Sequence, residues 1–589
     1  MDELLLQVKD LTVSFPGRKK GDPRETAVNH LSFDIHRGEI VGVVGESGSG
    51  KSLSALSIMD LLPKDARIDA GEILFEGEDL LKMPSETRRK LKGFKMGMVF
   101  QEPMTSLNPV MKIEEQVGEN LALHTDCRPD EIHARVVEAL CSVGLEDAEL
   151  ICRKYPHELS GGMRQRVMLA LAAICSPDLI IADEPTTALD VVVQEQILNL
   201  LRKYNREKHV AILFISHDLN VIRRLCERTI VVYHGDIVEQ GNTVEVMEHP
   251  QHEYTKTLVA RIPERHEDGE NTENVLSLEH LDVYYEVGGS LFRRKSRKHV
   301  IHDMSFNVHD GEILGIVGES GCGKSTLSKV ILGLHKDYTG TIRMREGLRP
   351  QMVFQDPFGS LNPARKIGWI MEEPLKVRGI RDAEERKRMV REMLEDCGLD
   401  PSFADRYPRE LSGGQRQRIS IGTALLMDTG FIIADEPVSA LDVTVQSQII
   451  KLIMDLHEKK HTTIMFISHD LDLVRRICRR VLVIYRGEIV EAGRSSEVYE
   501  NPAHPYTKML LAATRDDDRM RMTSSLIEKT QDADVKVPEN FPGCPFILRC
   551  AKHGEDCARR KPDIVSLSSR HSARCTYAGG KKDGEDASL

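Results

Sequence analysis

Three runs of consecutive apolar residues punctuate the first half of the chain: Ile40-Val41-Gly42-Val43-Val44, Leu179-Ile180-Ile181-Ala182 and Val210–Ile215. Each is short and continuous, the pattern of a strand buried on both faces of a mainly parallel sheet. Between them the period changes. After Gly162 the apolar residues Met163, Val167, Leu171 and Ile174 fall at helical spacing. Strands alternating with helices predict an α/β fold.

The chain then repeats itself. Leu159-Ser160-Gly161-Gly162, Ile181-Ala182-Asp183-Glu184-Pro185 and Ile215-Ser216-His217-Asp218 recur as Leu411-Ser412-Gly413-Gly414, Ile433-Ala434-Asp435-Glu436-Pro437 and Ile467-Ser468-His469-Asp470, each 252 positions later. That period is too long for a solenoid and indicates two domains of one fold. The expected organisation is a first domain over 1–263, a polar linker over 264–274, a second domain over 275–514 and an extension over 515–589. The halves differ upstream. Lys51 and Gln101 are 50 positions apart and Lys324 and Gln355 are 31 apart, so the first half carries a charged surface insertion around Asp79–Met98.

Composition narrows the class. A net charge of -12 and a single Trp argue against a dominant nucleic-acid surface. No apolar run approaches the roughly 20 residues that span a bilayer, and the acidic start Met1-Asp2-Glu3 does not read as a signal peptide. A cytoplasmic chain is expected, with any membrane role supplied by a partner.

The chemistry lies in loops that end the apolar strands. Gly45-Glu46-Ser47-Gly48-Ser49-Gly50-Lys51-Ser52 and Gly318-Glu319-Ser320-Gly321-Cys322-Gly323-Lys324-Ser325, followed by Thr326, each fit a phosphate-binding loop between a strand and a helix. Glycines let backbone N–H groups converge on phosphate oxygens at a helix N-terminus. Lys51 and Lys324 reach the terminal phosphates, and Ser52 and Ser325 offer a hydroxyl to Mg²⁺. Asp183 and Asp435 end apolar strands as further Mg²⁺ holders, and the adjacent Glu184 and Glu436 are positioned to orient the attacking water.

Together these residues resemble the ABC superfamily. The resemblance makes Ser160-Gly161-Gly162 and Ser412-Gly413-Gly414-Gln415 its signature motif, facing ATP on the opposite domain; Met163 stands where Gln is usual. It makes Gln101 and Gln355 the Mg²⁺-sensing Q-loop residues, Asp190 and Asp442 the D-loop residues, and His217 and His469 the switch histidines at the γ-phosphate. It places Phe15 and Tyr285 where an aromatic ring stacks on adenine. Two competent ATP sites are therefore expected. The segments Gln101–Pro109, Gln355–Pro363, Tyr155–Glu158, Tyr407–Glu410, His504–Thr507 and, with Glu for Pro, His252–Thr255 look like the oligopeptide/dipeptide/nickel importer family. That resemblance implies an ATPase coupled to two transmembrane permease subunits on the cytoplasmic face of the membrane, with an extracytoplasmic solute-binding protein delivering peptide and no nucleic acid involved. The alternative is a soluble tandem ATPase acting on ribosomes or DNA without a permease. Ribosome-acting members typically carry a long basic linker, which is missing here.

Four of the 12 cysteines, Cys544, Cys550, Cys557 and Cys575, crowd into the tail. Four thiolates suit a [4Fe–4S] cluster or a Zn²⁺ site, unligated thiols being the remaining alternative, and Gly543–Cys550 resembles the importer family's extension, where an iron–sulfur cluster has been associated with some members. The basic run Arg293–Lys298 reads as a solvated loop, and Cys322 as a small residue inside its loop.

Overall fold

The computed structural model describes residues 3–17, 22–145, 147–187, 189–260, 273–287, 296–439, 441–514, 537–538 and 541–578. The proposed linker lies almost wholly outside them, as do the first three residues of the run Arg293–Lys298 and the last residues of the extension. The chain forms two compact units, one built mainly from Met1–Leu189 and Val193–Arg261, the other from Ile262–Leu441 and Val445–Leu589.

In the first unit, a six-stranded sheet runs in the order Asp236–Asn242, Arg228–Tyr233, Ile40–Val44, Ala211–Ser216, Leu179–Asp183, Met96–Val99. Its pairings are parallel except at the Asp236–Asn242 edge. The continuous apolar runs have a simple cause: alternate residues serve two cores. Ile40, Val44, Ile180, Ala182, Ile212 and Phe214 face one cluster, packed with helices. Val41, Val43, Leu179, Ile181, Leu213 and Ile215 face the other. That second cluster is closed by an antiparallel sheet of Glu25–His36, Leu4–Phe15, Arg67–Phe75 and Glu78–Asp79, contributing Leu6, Val8, Val28 and Ile73 among others. Each fully buried aliphatic side chain is worth about 1.5–3 kcal/mol, so a single polar substitution in these strands is costly on both faces.

The second unit repeats the plan with a three-stranded antiparallel sheet, Ser296–His309, Asn274–Val287 and Tyr338–Met344. Its main sheet has eight strands: Gln351–Val353, Phe431–Asp435, Thr463–Ser468, Ile313–Val317, Arg480–Tyr485, Glu488–Arg494, His571–Arg574 and Ile564–Ser568. The last two belong to the Cys-rich extension. Its hairpin pairs with the edge strand Glu488–Arg494, and Cys544, Phe546 and Cys557 join the unit's main core.

The insertion of the first unit forms a short helix, Ser85–Leu91, with no buried residue, anchored by buried Leu80. The helix Gly161–Ala173 forms as expected, but not as a single apolar stripe. Met168, Leu169, Ala170, Ala172 and Ala173 are buried along with Val167, the sign of a helix enclosed by the fold.

Candidate functional site

The loop after Ile40–Val44 turns sharply into the helix Lys51–Ile58. Two of its glycines are required by geometry. A Cβ on Gly45 would stand 2.1 Å from the Val232 carbonyl oxygen, and Gly50 has φ +101° with the Ala27 carbonyl 2.8 Å from its Cβ position. Lys51 is buried, and its Nζ donates to the carbonyls of Gly45 at 2.8 Å and Glu46 at 2.7 Å. Burial lowers its pKa, opposed by the carboxylates of Glu184 and Asp183. Ser52 Oγ donates to Asp183 Oδ1 at 2.9 Å. The hydroxyl and carboxylate expected to hold Mg²⁺ thus meet across 131 positions of sequence. Desolvation pushes the buried Asp183 carboxyl up to about 6.

Glu184 is the hub. It sits at φ +46°, a left-handed conformation that non-glycine residues hold at a cost and that clusters at functional sites. Its Oε2 accepts from Gln101 Nε2 at 2.9 Å and Thr187 Oγ1 at 2.9 Å, and lies 3.1 Å from His217 Nδ1. Burial raises the carboxyl's pKa, but the hydrogen bond and charge of His217 outweigh it and hold Glu184 below its usual range. Burial lowers the His217 pKa, and Glu184 overrides it in turn, leaving the imidazole raised. Three separate segments, carrying Gln101, Glu184–Thr187 and His217, therefore converge on one carboxylate.

The second unit reproduces this with adjustments. Lys324 Nζ donates to Gly318 O at 2.6 Å and Glu319 O at 3.1 Å, and lies 3.6 Å from Glu436 Oε1. Gln355 Nε2 donates to Glu436 Oε2 at 3.0 Å, and His469 Nδ1 lies 3.6 Å from the same oxygen. Glu436 has φ +45°. Asp435 is raised by desolvation, opposed by its hydrogen bond from Ser325.

Ser160 and Ser412 cap the helices Gly161–Ala173 and Gly413–Leu426, each accepting from the backbone N–H three residues on at 3.3 Å. At Ser412 the Gln415 side chain returns the bond, accepting from the Ser412 N–H at 3.0 Å; Met163 lacks that acceptor. Asp190 and Asp442 directly precede the long helices Val191–Lys208 and Val443–Lys460. Phe15 ends its strand half-buried, and Tyr285 stacks on His335 at 4.3 Å between ring centroids.

Two contacts on the loops escaped the sequence reading. The hydroxyls of Tyr254 and Tyr506 accept from the N–H of Glu46 (2.9 Å) and Glu319 (2.8 Å); their recurrence at the common offset was the available signal. In the second unit an arginine of the extension grips the loop. Arg549 donates through both terminal nitrogens to the two oxygens of Glu319, 2.8 Å each, and is itself buried.

The four tail cysteines line one cavity of about 10 Å³, but among the described residues no group of three or more His, Cys, Asp or Glu side chains is set to hold a metal ion. Burial pushes the Cys544 thiol up to about 12 and raises Cys550 and Cys575. No helix among the described residues is long and apolar enough to cross a membrane.

Comparison with known proteins accounts for this arrangement. The ABC transporter model matches residues 28–187 and 301–439. The model of the oligopeptide/dipeptide transporter C-terminal region matches residues 238–288 and 490–557. A peptidoglycan transport ATP-binding protein of Agrobacterium fabrum is 43% identical over 86% of this chain and 96% of its own length. A glutathione import ATP-binding protein of Salmonella paratyphi A is 39% identical over 95% of this chain and 97% of its own. Among solved structures, an archaeal ribosome recycling factor in complex with a ribosomal stalk protein shares the fold at TM-score 0.55 and 20% identity, over 78% of this chain and 86% of that one. The chain belongs to the ABC transporter family, in its oligopeptide/dipeptide transporter class, with two ATP-hydrolysing domains in one polypeptide.

Proposed function

We propose that this protein hydrolyses ATP at two sites to drive a membrane importer of peptides or peptide-like solutes, glutathione and peptidoglycan-derived compounds being the cargo classes its relatives suggest. The observation that carries the ATPase reading is the convergence of Gln, Glu and His beside the loop lysine in each unit. In that reading Gly45, Ser47, Gly48, Gly50 and Lys51 wrap and neutralise the phosphates, as do Gly318, Ser320, Gly321, Gly323, Lys324 and Thr326. Ser52, Asp183 and Gln101, and Ser325, Asp435 and Gln355, hold Mg²⁺, which when bound neutralises charge on the phosphate oxygens. Glu184 and Glu436 accept hydrogen bonds rather than give them. Their depressed pKa keeps them ionised to orient water for in-line attack. His217 and His469, held by those carboxylates, present their remaining ring nitrogen toward the γ-phosphate. Ser160 and Ser412, at helix N-termini, bind the phosphates of the opposite domain's nucleotide, with Asp190 and Asp442 relaying between sites and Phe15 and Tyr285 at the adenines. Closure of the domains on ATP is passed near Gln101 and Gln355 to two permease subunits at the cytoplasmic face of the membrane, supplied by a solute-binding protein outside.

The extension brings four thiols to one cavity, the donor type that a [4Fe–4S] cluster takes; as they stand no three of them are set to hold a metal ion, so a cluster would require them to rearrange around it, and its role would then be to order the segment carrying Arg549. Iron and sulfide analysis of anaerobically purified protein tests it; absence of both, or stoichiometric zinc, rejects it.

The importer reading is tested by mild-detergent purification from native membranes with mass spectrometry. Two multi-spanning permeases in stoichiometric amount are expected. Ribosomal proteins without a permease would overturn it in favour of a soluble ATPase.

A further inference from the structure

The second unit contains a cavity of about 980 Å³, a size that holds small-molecule ligands. It lies at the other end of the parallel sheet from the phosphate loop: Ile313 and Arg480, which start their strands, line it, whereas the loop begins after Val317. The antiparallel sheet forms one wall and the extension's hairpin forms another.

The lining is cationic. Arg475, Arg476, Arg479, Arg480 and Arg494 come from the unit's core and two further arginines from the hairpin, against three carboxylates. The hydrogen bonds sharpen this. Arg480 donates to the Asn307 carbonyl at 2.6 Å, to Glu312 Oε1 at 3.3 Å and to His309 Nε2 at 2.9 Å. With Nε2 accepting, the His309 proton lies on Nδ1. That Nδ1 is buried without a hydrogen-bond partner in the protein, and so are Arg480 Nε, Arg574 Nε and Ser495 Oγ. All four belong to residues lining this cavity, and all four are donors, which buried structure rarely leaves unanswered. Burial and the neighbouring Arg480 and Arg479 lower the His309 pKa, in keeping with a positive interior.

The first unit shows that the fold does not require this. There Arg228, the counterpart of Arg480, is met by two carboxylates, Glu39 at 2.8 Å and Asp34 at 3.2 Å. In the second unit Asn307 stands in the place of Asp34, Arg479 in the place of Glu227 and Arg494 in the place of Asn242. Each exchange moves the wall toward positive charge, and the hairpin adds more.

We propose that this cavity is a binding site for a small polyanion, a molecule with two or more phosphate or carboxylate groups, held by Arg479, Arg480, Arg494 and Arg574. Planar guanidinium groups bind such oxygens in pairs, and the hairpin closes over them.

The test uses the full chain saturated with Mg²⁺ and a non-hydrolysable ATP analogue, so that the phosphate loops are filled. Fructose 1,6-bisphosphate and tricarballylate are titrated separately by calorimetry, with fructose as the neutral control. At least one probe should bind with one-to-one stoichiometry, more weakly as salt rises, and fructose should not. The double variant Arg479→Glu with Arg494→Asn restores first-unit residues and should weaken binding tenfold or more. Arg574→Gln, confined to the hairpin, should weaken it as well and serves if the double variant unfolds. Binding of the bisphosphate alone identifies a phosphorylated ligand, and of tricarballylate alone a polycarboxylate. No binding of either probe, or affinity unchanged in every folded variant, overturns the proposal.

Discussion

The two units hold the same carboxylate in different grips. In the first, Glu184 Oε2 takes hydrogen bonds from Gln101 and Thr187 and stands 3.1 Å from His217. In the second, His469 stands 3.6 Å from Glu436, Lys324 draws to 3.6 Å from the other carboxylate oxygen, and Ser439, the counterpart of Thr187, turns its hydroxyl to the Glu436 backbone at 3.2 Å. The extension adds to the second loop a buried ion pair, Arg549 to Glu319. Repetition has kept the reacting groups, and divergence has gone into what holds them.

The largest expected effect tests whether the two carboxylates do equal work. Glu184→Gln and Glu436→Gln should each slow ATP cleavage by about 100-fold or more at their own sites, the usual worth of a general base. Single-turnover cleavage of radiolabelled ATP measures it. If Glu436→Gln leaves total turnover nearly intact while Glu184→Gln abolishes it, the sites are unequal and the second serves to regulate the first.

Next is the ion pair that, among the described residues, the second loop makes and the first does not. Arg549→Met keeps the bulk of the side chain but leaves the Glu319 carboxylate partly buried without its guanidinium. Removing one partner of a buried pair costs about 3–5 kcal/mol. Thermal unfolding should show the second unit melting earlier while the first is unchanged, and ATP affinity should fall at the second site. Adding Glu319→Gln to Arg549→Met should recover part of the loss. If neither variant moves the second unit, the extension is not what steadies its phosphate loop.

The phosphate loops, Asp183-Glu184 and the strands around them read directly from sequence, because each is a contiguous motif or a run whose period reports its burial. The antiparallel sheets did not. The strand Leu4–Phe15 pairs with its neighbours through several register irregularities, which break the clean alternation that marks a half-buried strand. Arg549 could not be foreseen either. It meets Glu319 across 230 positions, and nothing local distinguishes it from other arginines of a charged tail. The ligand-set reading of the tail cysteines rests on four thiols and a family resemblance; the fold brings them to one cavity against the unit's core, but among the described residues they are not set to hold a metal ion.

A pH comparison exploits another site that the extension covers. His504 and His252 occupy equivalent positions, each accepting through Nδ1 from the N–H two residues on. His252 is exposed, whereas His504 is buried and packs edge-on to Phe546 of the extension at 5.6 Å. Burial brings its pKa down to about 4, below the ordinary 6.5. The native state therefore binds fewer protons here than the unfolded state. The stabilisation is complete above pH 6.5 and is lost as the pH falls toward 4, amounting to on the order of 3 kcal/mol. The second unit should lose stability over that window more steeply in the wild type than in His504→Gln, as followed by unfolding midpoints at stepped pH. Equal slopes would place the acid sensitivity elsewhere.

The smallest effect concerns the signature helices. Ser412 and Gln415 cap one another reciprocally, whereas Ser160 accepts from the Met163 N–H and the Met163 side chain has no acceptor to return the bond. A methionine offers no acceptor for the return bond that Gln415 makes, a difference of about 0.5–1 kcal/mol by the usual worth of capping interactions. Met163→Gln should supply it, raising protection of the first turn of Gly161–Ala173 in amide hydrogen exchange, and Gln415→Met should lower protection at Gly413–Leu426 by a similar amount. Met163 is only half-buried, so the added amide is not trapped in the core. If Met163→Gln leaves exchange unchanged, the first helix start is steadied by something other than its cap, and the second unit's box is dispensable there too.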